Sequence, residues 1–210
     1  MMALRALQER ADVRVRALLS TFWEPENEIT MHGTPESMIR AQAESLGLPL
    51  ISMQQPRGAS NEMYERLFAG ALQPLINEGV SYVAAGDLHL EDVRSYREGV
   101  IQRAGATPLF PIWSNDTMDL AHRVIDDGFR VVITSIDEER IPACLLGTNF
   151  DHGFLEKLPG DVDPCGEHGE FHTFVAAGPG FSRPVPFRVE DTRAVGPMTG
   201  IGLSLRENAT

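Results

Sequence analysis

The sequence contains little cysteine, no excess of basic residues and no long apolar segment. Cys144 and Cys165 are too few for a disulfide framework, and neither a signal peptide nor a membrane-spanning run is visible. The formal net charge of -12 leaves no basic stripe to neutralise phosphates. This argues against nucleic acids and anionic membrane surfaces as partners. We therefore expect a cytoplasmic protein. Because its negative charge would repel free ATP, we also expect any ATP to bind together with Mg²⁺.

Internal repeats, low-complexity tracts and clear linkers are also absent. Instead, β-branched runs alternate with amphipathic helical patterns, which predicts an α/β fold with a mostly parallel sheet and helices on both faces. The predicted strands cover residues 13–21, 49–53, 80–85 and 131–136, and the predicted helices lie between them and after the third strand. Beyond about residue 150 prolines and short β-like runs take over. We predict an α/β domain over residues 1–150 and a small β-containing section over residues 151–210.

Cap residues mark the ends of the predicted helices. Thr34, followed by a proline, predicts the start of one helix, and Gly47 can take the left-handed conformation that ends it. Ser60 and Gly79 bracket a second helix in the same way. Ser114 predicts the start of a later helix, which closes near residue 128.

The segment from Asp163 to Thr173 is the densest run of titratable side chains. It reads Asp-Pro-Cys-Gly-Glu-His-Gly-Glu-Phe-His-Thr. Core strands and helices are not composed this way, because each buried charge needs a partner. Loops that gather such groups among flexible glycines commonly form binding or catalytic sites. The alternative interpretation is a solvated acidic loop that precedes a strand.

Polar side chains stand at the ends of three predicted strands. They are Ser20 with Thr21, Asp87, and Ser135. In open α/β sheets, ligands bind beyond the carboxyl ends of the strands, so these residues are candidate ligand contacts. Asp87 is the most specific of them, because the preceding Gly86 lets the backbone approach a ligand closely. The alternative for Asp87 is a helix cap or a turn carboxylate.

Two arginines lie one turn apart on the helix that follows Asp87. Arg94 and Arg97 can present two guanidinium groups to a phosphate or carboxylate. The alternative is an exposed ion-pair face that includes Glu91 and Glu98.

Histidines suggest two further sites. His32 stands at a helix entrance, where it could contact an anion or serve as a cap. Cys165, His168 and His172 have a spacing that a catalytic zinc could accept, although no second Cys/His cluster completes the set. A Cys/His nucleophile pair is another alternative, but no nucleophile elbow or orienting acid accompanies it.

Several segments together resemble one family. They are Met31–Gly33, Ala43–Leu50, Gly86–Leu88 with Glu91–Glu98, Thr107–Trp113, and Asp163–Thr173. Over about residues 1–180 these motifs are similar to the diphthine–ammonia ligase family, whose members have the adenine nucleotide α-hydrolase-like (PP-loop ATP pyrophosphatase) fold. The resemblance implies that residues 1–150 bind a nucleotide. It also implies that ATP adenylates a substrate carboxylate and that ammonia then displaces AMP to give an amide.

The resemblance also assigns candidate roles to the residues singled out above. It assigns no protein ligands to a resident metal ion. ATP with Mg²⁺, ammonia and a small or protein-borne carboxylic acid would be the partners, and the oligomeric state is left open. Candidate acid–base catalysts are Glu167, Glu170 and His172. Candidate substrate contacts are Asp87, Arg94, Tyr96, Arg97, Cys165, Gly166 and Thr173, and candidate nucleotide contacts are Ser20, Thr21, His32 and Ser135. We expect the Asp163–Thr173 loop to fold over the strand ends, within reach of Asp87 and the two arginines.

The chain departs from the family pattern in two places. Family members begin with a strand and a Ser-Gly-Gly-Lys-Asp-Ser loop that holds the ATP phosphates, and this hexapeptide does not occur here. We expect in-frame DNA upstream of Met1 to encode that strand and loop. In addition, the loop form that contains His172 differs from that of enzymes acting on diphthine, so in an organism without diphthamide the substrate is a different carboxylic acid. The alternatives are a non-catalytic nucleotide-binding or interaction module and a metal-dependent hydrolase.

Overall fold

The structure is a computed structural model that describes residues 1–206, so residues 207–210 of the predicted C-terminal section lie outside it. The helices are α1 (Met2–Gln8), α2 (Glu36–Ser45), α3 (Asn61–Asn77), α4 (Glu91–Arg103), α5 (Thr117–Asp126) and α6 (His152–Leu155). The strands are β1 (Leu18–Glu24), β2 (Glu28–Ile29), β3 (Leu50–Pro56), β4 (Tyr82–Ala84), β5 (Thr107–Leu109), β6 (Arg130–Ile136), β7 (Phe171–Ala177), β8 (Phe187–Val195) and β9 (Met198–Leu205). A single 3₁₀ turn covers Ala143–Leu145 in the described part of the chain.

Several of the predicted helix ends are confirmed. The hydroxyl of Ser60 accepts a hydrogen bond from the backbone N–H of Met63 at 3.2 Å, and α3 begins one residue later than this cap. Gly47 and Gly79 follow their helices with φ angles of 66° and 93°. Such positive values cost glycine little, because it has no Cβ atom. The residue types at these positions were therefore sufficient to predict where the helices begin or end.

Two predicted helix starts are wrong. Pro35, rather than Thr34, is the residue immediately before α2, and its side chain makes no capping hydrogen bond. Ser114 does not cap α5, because the helix begins at Thr117 and Ser114 lies in the preceding turn, with a φ of 60°. The carboxylate of Asp116 takes that role and accepts a hydrogen bond from the N–H of Asp119 at 2.9 Å.

The first compact unit comprises residues 1–27 and 48–115. Here β1 pairs in parallel with β3, and β4 pairs in parallel with β5. Helix α3 packs on β3, and α4 packs on β5 and α3. Apolar residues recur along α3 and α4 at helical spacing, so each helix buries one face. The core that they form contains Met53, Phe68, Leu72, Val100, Ile101 and Ala106.

The second compact unit comprises residues 28–47 and the described residues from 116 onward. Its four-stranded sheet has the order β7-β6-β9-β8, and every neighbouring pair is antiparallel. All residues of β6 after Arg130 are buried, as its unbroken apolar run predicted. Helix α2 packs on β9, and the side-chain amide of Gln42 donates to the carbonyl of Val175 at 2.7 Å.

The α/β fold class is confirmed, but the prediction of a mostly parallel sheet is not. Parallel pairing occurs in the first unit, whereas the four-stranded sheet of the second unit is antiparallel. The compact units also divide the chain differently from the predicted boundary near residue 150. The reason is that β6, which precedes that boundary, pairs with β7 and β9, which follow it. Across residues 1–206, no helix combines the length and the apolar character needed to cross a membrane.

Candidate functional site

The Asp163–Thr173 loop is ordered by hydrogen bonds within itself. One carboxylate oxygen of Asp163 accepts from the backbone N–H of Cys165 at 2.8 Å and from that of Glu167 at 3.3 Å. The N–H of Gly166 donates to the carbonyl of Asp163, and the N–H of Gly169 donates to that of Gly166. Asp163 thus closes the tight turn that sets the position of Glu167.

Gly166 is required by this turn for two separate reasons. Its φ of 68° lies in the left-handed region, which residues with a Cβ atom rarely adopt. In addition, a Cβ atom at this position would lie 2.8 Å from the carbonyl oxygen of Phe171. Gly166 is therefore needed for the conformation of the loop. Its contact with a substrate stays a prediction.

Glu170 organises the loop from inside the protein. Its side chain is 0% exposed, and its two carboxylate oxygens accept the backbone N–H groups of Asp163 at 3.1 Å and His168 at 3.0 Å. The guanidinium of Arg140 lies 3.2 Å from the same carboxylate and also donates to the carbonyl of Asp161 at 2.8 Å. A buried carboxylate with these three partners holds the loop in place, so the structure supports Glu170 as a positioning residue.

Cys165 is a neutral thiol in this environment. Its sulfur lies 3.2 Å from the carbonyl oxygen of Thr117, to which the thiol donates. Burial, followed by the nearby carboxylates of Asp163, Glu167 and Asp116, raises the pKa of Cys165 to about 12. Nucleophiles and zinc ligands need the thiolate, so these surroundings do not favour either role.

We expect Cys165 to resist alkylation. At pH 8 its raised pKa lowers the thiolate fraction on the order of a thousandfold relative to an ordinary thiol. Cys144 is exposed and serves as an internal control. Treatment with iodoacetamide followed by peptide mass spectrometry should show Cys144 modified long before Cys165. Equal labelling of the two cysteines in the folded protein would contradict this assignment.

His172 lies on β7 and is stacked against His32. The centroids of the two imidazole rings are 3.9 Å apart, and the ring planes are inclined by 30°. Burial lowers the pKa of His172. His32 is exposed as a residue, but its ring lies against protein, and this burial of the ring, followed by the neighbouring His172, lowers its pKa to about 3. Both imidazoles are therefore neutral at physiological pH.

The remaining candidates of the second unit lie within the antiparallel sheet. Ser135 is fully buried in β6 opposite His172, and its hydroxyl donates to the sulfur of Met198 at 3.8 Å. This burial does not support Ser135 as a nucleotide contact. Thr173 pairs with Ile133 and is partly exposed, so its hydroxyl stays a candidate substrate contact.

In the first unit, Asp87 and Arg97 form an ion pair. The Nε atom of Arg97 lies 3.0 Å from both carboxylate oxygens of Asp87 and donates a hydrogen bond to Oδ1. The second oxygen, Oδ2, is buried and accepts no hydrogen bond from the described residues. Tyr96 is exposed and stacks on Tyr64, whose pKa is raised chiefly by burial. This cluster presents a carboxylate, a guanidinium and aromatic rings together.

Arg94 contributes differently from Arg97. Its Nε donates to the carboxylate of Glu98 at 2.8 Å, which agrees with the alternative of an ion-pair face. Its guanidinium also lies over the rings of Phe110 and Trp113, at 4.9 and 4.6 Å from their centroids. The structure therefore does not present the two arginines as a matched pair of anion-binding groups, because each has its own partners.

Ser20 and Thr21 lie inside β1 rather than after it. The strand continues to Glu24, and the two residues pair with Ser52 and Met53 of β3. Their side chains are partly buried. The predicted position at a strand end is therefore wrong, and their contact with a nucleotide stays a prediction.

The spacing of Cys165, His168 and His172 is not matched by a metal-binding arrangement in space. Within residues 1–206, no group of three or more His, Cys, Asp or Glu side chains is arranged to hold a metal ion. The hydrolase alternative therefore receives no support from side-chain geometry.

Sequence reasoning missed four residues that contact the candidate residues. Arg140 follows β6 and pairs with Glu170, Tyr64 on α3 stacks on Tyr96, and Phe110 with Trp113 surrounds Arg94. The only sequence signal was the aromatic Leu-Phe-Pro-Ile-Trp segment. The prediction that the residues of the two units share one site stays a prediction.

Comparison with known families covers most of the chain. Residues 1–108 match the model of the diphthamide synthase N-terminal domain, and residues 116–195 match that of the diphthamide synthase C-terminal domain. No curated protein matches the chain in a sequence search. The two family matches follow one another in the order expected for a single protein. The chain therefore belongs to the diphthamide synthase (diphthine–ammonia ligase) family.

Proposed function

We propose that the protein is an ATP-dependent ligase that joins ammonia to a carboxylic acid and releases AMP and pyrophosphate. The observation that carries this proposal is the match of both parts of the chain to diphthamide synthase domains. ATP would bind with Mg²⁺, which offsets the repulsion between the triphosphate and a protein of net charge -12.

The reaction has two balanced steps. First, a carboxylate oxygen of the substrate attacks the α-phosphorus of ATP, so that an O–P bond forms and pyrophosphate leaves. Then ammonia attacks the carbonyl carbon of the acyl-adenylate. A C–N bond forms and the C–O bond to AMP breaks. AMP leaves with the bridging oxygen and the bonding electrons on its phosphate group. The nitrogen loses one proton as ammonium and a second as the amide forms, so the site needs groups that accept protons.

His172 and Glu167 are the proposed proton acceptors. A neutral imidazole can take the proton of ammonium, a transfer that is uphill by itself and is drawn forward by attack of the nitrogen on the acyl-adenylate. The lowered pKa of His172 keeps the ring unprotonated before this step. The Asp163 turn places Glu167 two residues after Cys165 on the same loop, and its carboxylate would accept the second proton. Glu170 supports both through its hold on the loop.

Arg97, Asp87 and Tyr96 are the proposed substrate contacts of the first unit. The side chain of Arg97 is 46% exposed, so its guanidinium can reach a carboxylate or the adenylate phosphate while it stays paired with Asp87. The buried Oδ2 of Asp87 can accept a hydrogen bond from a donor on the ligand.

The test is a product assay on the purified protein. It would receive α-labelled ATP, Mg²⁺, ammonium and either diphthine-containing protein or a panel of carboxylic acids. We expect AMP and amide to form in equal amounts and only when ammonium is present. Hydroxylamine should replace ammonia and give a hydroxamate, because it traps acyl-adenylates. His122→Ala, which changes a histidine outside the candidate site, should keep the wild-type rate.

Two other results would contradict the proposal. ATP binding without AMP release under all these conditions would favour a non-catalytic nucleotide-binding module. Release of ADP instead of AMP would show transfer of the terminal phosphate and would exclude an acyl-adenylate.

A further inference from the structure

The contact between His32 and His172 joins two segments far apart in the sequence. His32 lies in the turn that follows β2, and His172 is the second residue of β7. Their ring centroids are 3.9 Å apart. At this distance the two rings lie directly against one another in a tilted arrangement, with their planes inclined by 30°.

The turn that carries His32 is anchored on both sides. The N–H groups of His32 and Gly33 donate to the carbonyl of Ile29 at 3.2 and 3.1 Å. Arg193 on β8 donates to the carbonyl of Gly33 and lies 2.7 Å from the carboxylate of Glu28. These contacts fix the backbone of the turn, and the contact between the two rings then limits how each imidazole can rotate.

The charges around the two rings are already paired. Arg193 is paired with Glu28, and the buried carboxylate of Glu170 is paired with Arg140. The strand partner of His172 is the neutral Ser135. Two imidazolium ions in stacked contact would repel each other strongly. Both rings are therefore neutral at physiological pH, in agreement with their lowered pKa values.

We propose that His32 is a positioning residue for His172, which fixes the plane of the His172 ring by stacking and keeps that ring neutral and ready to accept a proton from ammonium. This inference rests on the proposed function, in which His172 is the proton acceptor. It gives His32 a different role from the anion or nucleotide contact that the sequence suggested.

The test compares the titration of the His172 imidazole, followed by NMR, in the wild type and three variants. In His32→Ala the ring face opens to solvent, so we expect the titration midpoint of His172 to rise by about one pH unit. His32→Phe keeps a flat ring over His172 and should leave the midpoint close to that of the wild type. His122→Ala removes the other histidine ring pair, His122 with His152, and should change nothing.

An unchanged midpoint in His32→Ala, or equal changes in the alanine and phenylalanine variants, would overturn the proposal. If His32→Ala does not fold, as judged by circular dichroism, His32→Asn, which also lacks an aromatic ring, takes its place. The midpoint must then rise in His32→Asn and stay at the wild-type value in His32→Phe if stacking is the cause.

The pH dependence of amide formation provides the second readout. The acidic limb of kcat should move upward in His32→Ala together with the NMR midpoint, and it should stay in place in His32→Phe. A limb that does not follow the midpoint would overturn the positioning role. If the wild type forms no amide with any acceptor, the proposed function fails, whereas the control of the His172 ring by His32 is decided by the NMR titration alone.

Discussion

His172→Ala is expected to lower the turnover of amide formation by about 10²–10⁴-fold, the usual cost of losing one acid–base group. ATP affinity should stay nearly unchanged, because the imidazole takes part only after the adenylate has formed. Rapid-quench measurement of AMP release in a single turnover would give the chemical rate. Calorimetric titration with ATP would give the affinity.

Glu170→Gln and Arg97→Ala make this experiment more specific. Glu170→Gln should also lower turnover, but indirectly, by disturbing the conformation of the loop. The amide nitrogen of glutamine would face a backbone N–H group that a carboxylate oxygen of Glu170 accepts in the wild type. It should lower the unfolding midpoint as well, which His172→Ala should not. Arg97→Ala should instead weaken binding of the anionic substrate or adenylate. If Glu170→Gln and His172→Ala both kept wild-type rates, the loop would be a lid or a scaffold.

Arg140→Ala is expected to have the largest effect on stability. It removes the cation beside a fully buried carboxylate and also the hydrogen bond to the carbonyl of Asp161. Loss of a partner from a buried ion pair costs about 3–5 kcal/mol when both groups are buried. Because the Arg140 side chain is partly exposed, we expect about 1.5–3 kcal/mol, the range for a hydrogen bond to a charged group.

Urea unfolding followed by circular dichroism would measure this change in the free energy of unfolding. Arg57→Ala is the matched control, since Arg57 pairs with Glu26 at 2.9 Å on an exposed surface. Exposed ion pairs contribute little, so the control should unfold at nearly the wild-type urea concentration. Equal unfolding midpoints for Arg140→Ala and the wild type would mean that the buried carboxylate of Glu170 does not need its cation.

Features governed by neighbouring residues were predictable from the sequence. The cap at Ser60, the helix ends at Gly47 and Gly79 and the buried strand β6 each depend on side chains a few positions apart. Ser114 shows the limit of this reasoning. Asp116, two residues further on, accepts the N–H of Asp119 and caps α5, so the helix begins later than a cap at Ser114 would place it.

Features governed by distant residues were not predictable. The position of Ser20 and Thr21 within β1 depends on pairing with β3, some thirty residues later in the chain. The antiparallel sheet of the second unit depends on how β6 meets β7 and β9. For the candidate site, composition pointed to the Asp163–Thr173 loop, but it could not distinguish the buried Glu170 from the partly exposed Glu167.

The edge strand β8 has a consequence for association between molecules. It is nine residues long, most of its residues are exposed, and one side of it lies at the end of the sheet order. Such an edge offers free backbone groups to a strand from another chain. Here the register shifts between Val189 and Thr192, and the strand carries Arg188, Glu190, Asp191 and Arg193. The irregular backbone and the charged side chains of both signs disfavour continuous pairing of β8 with a strand of another molecule. These features therefore reduce the tendency of the protein to aggregate through this edge.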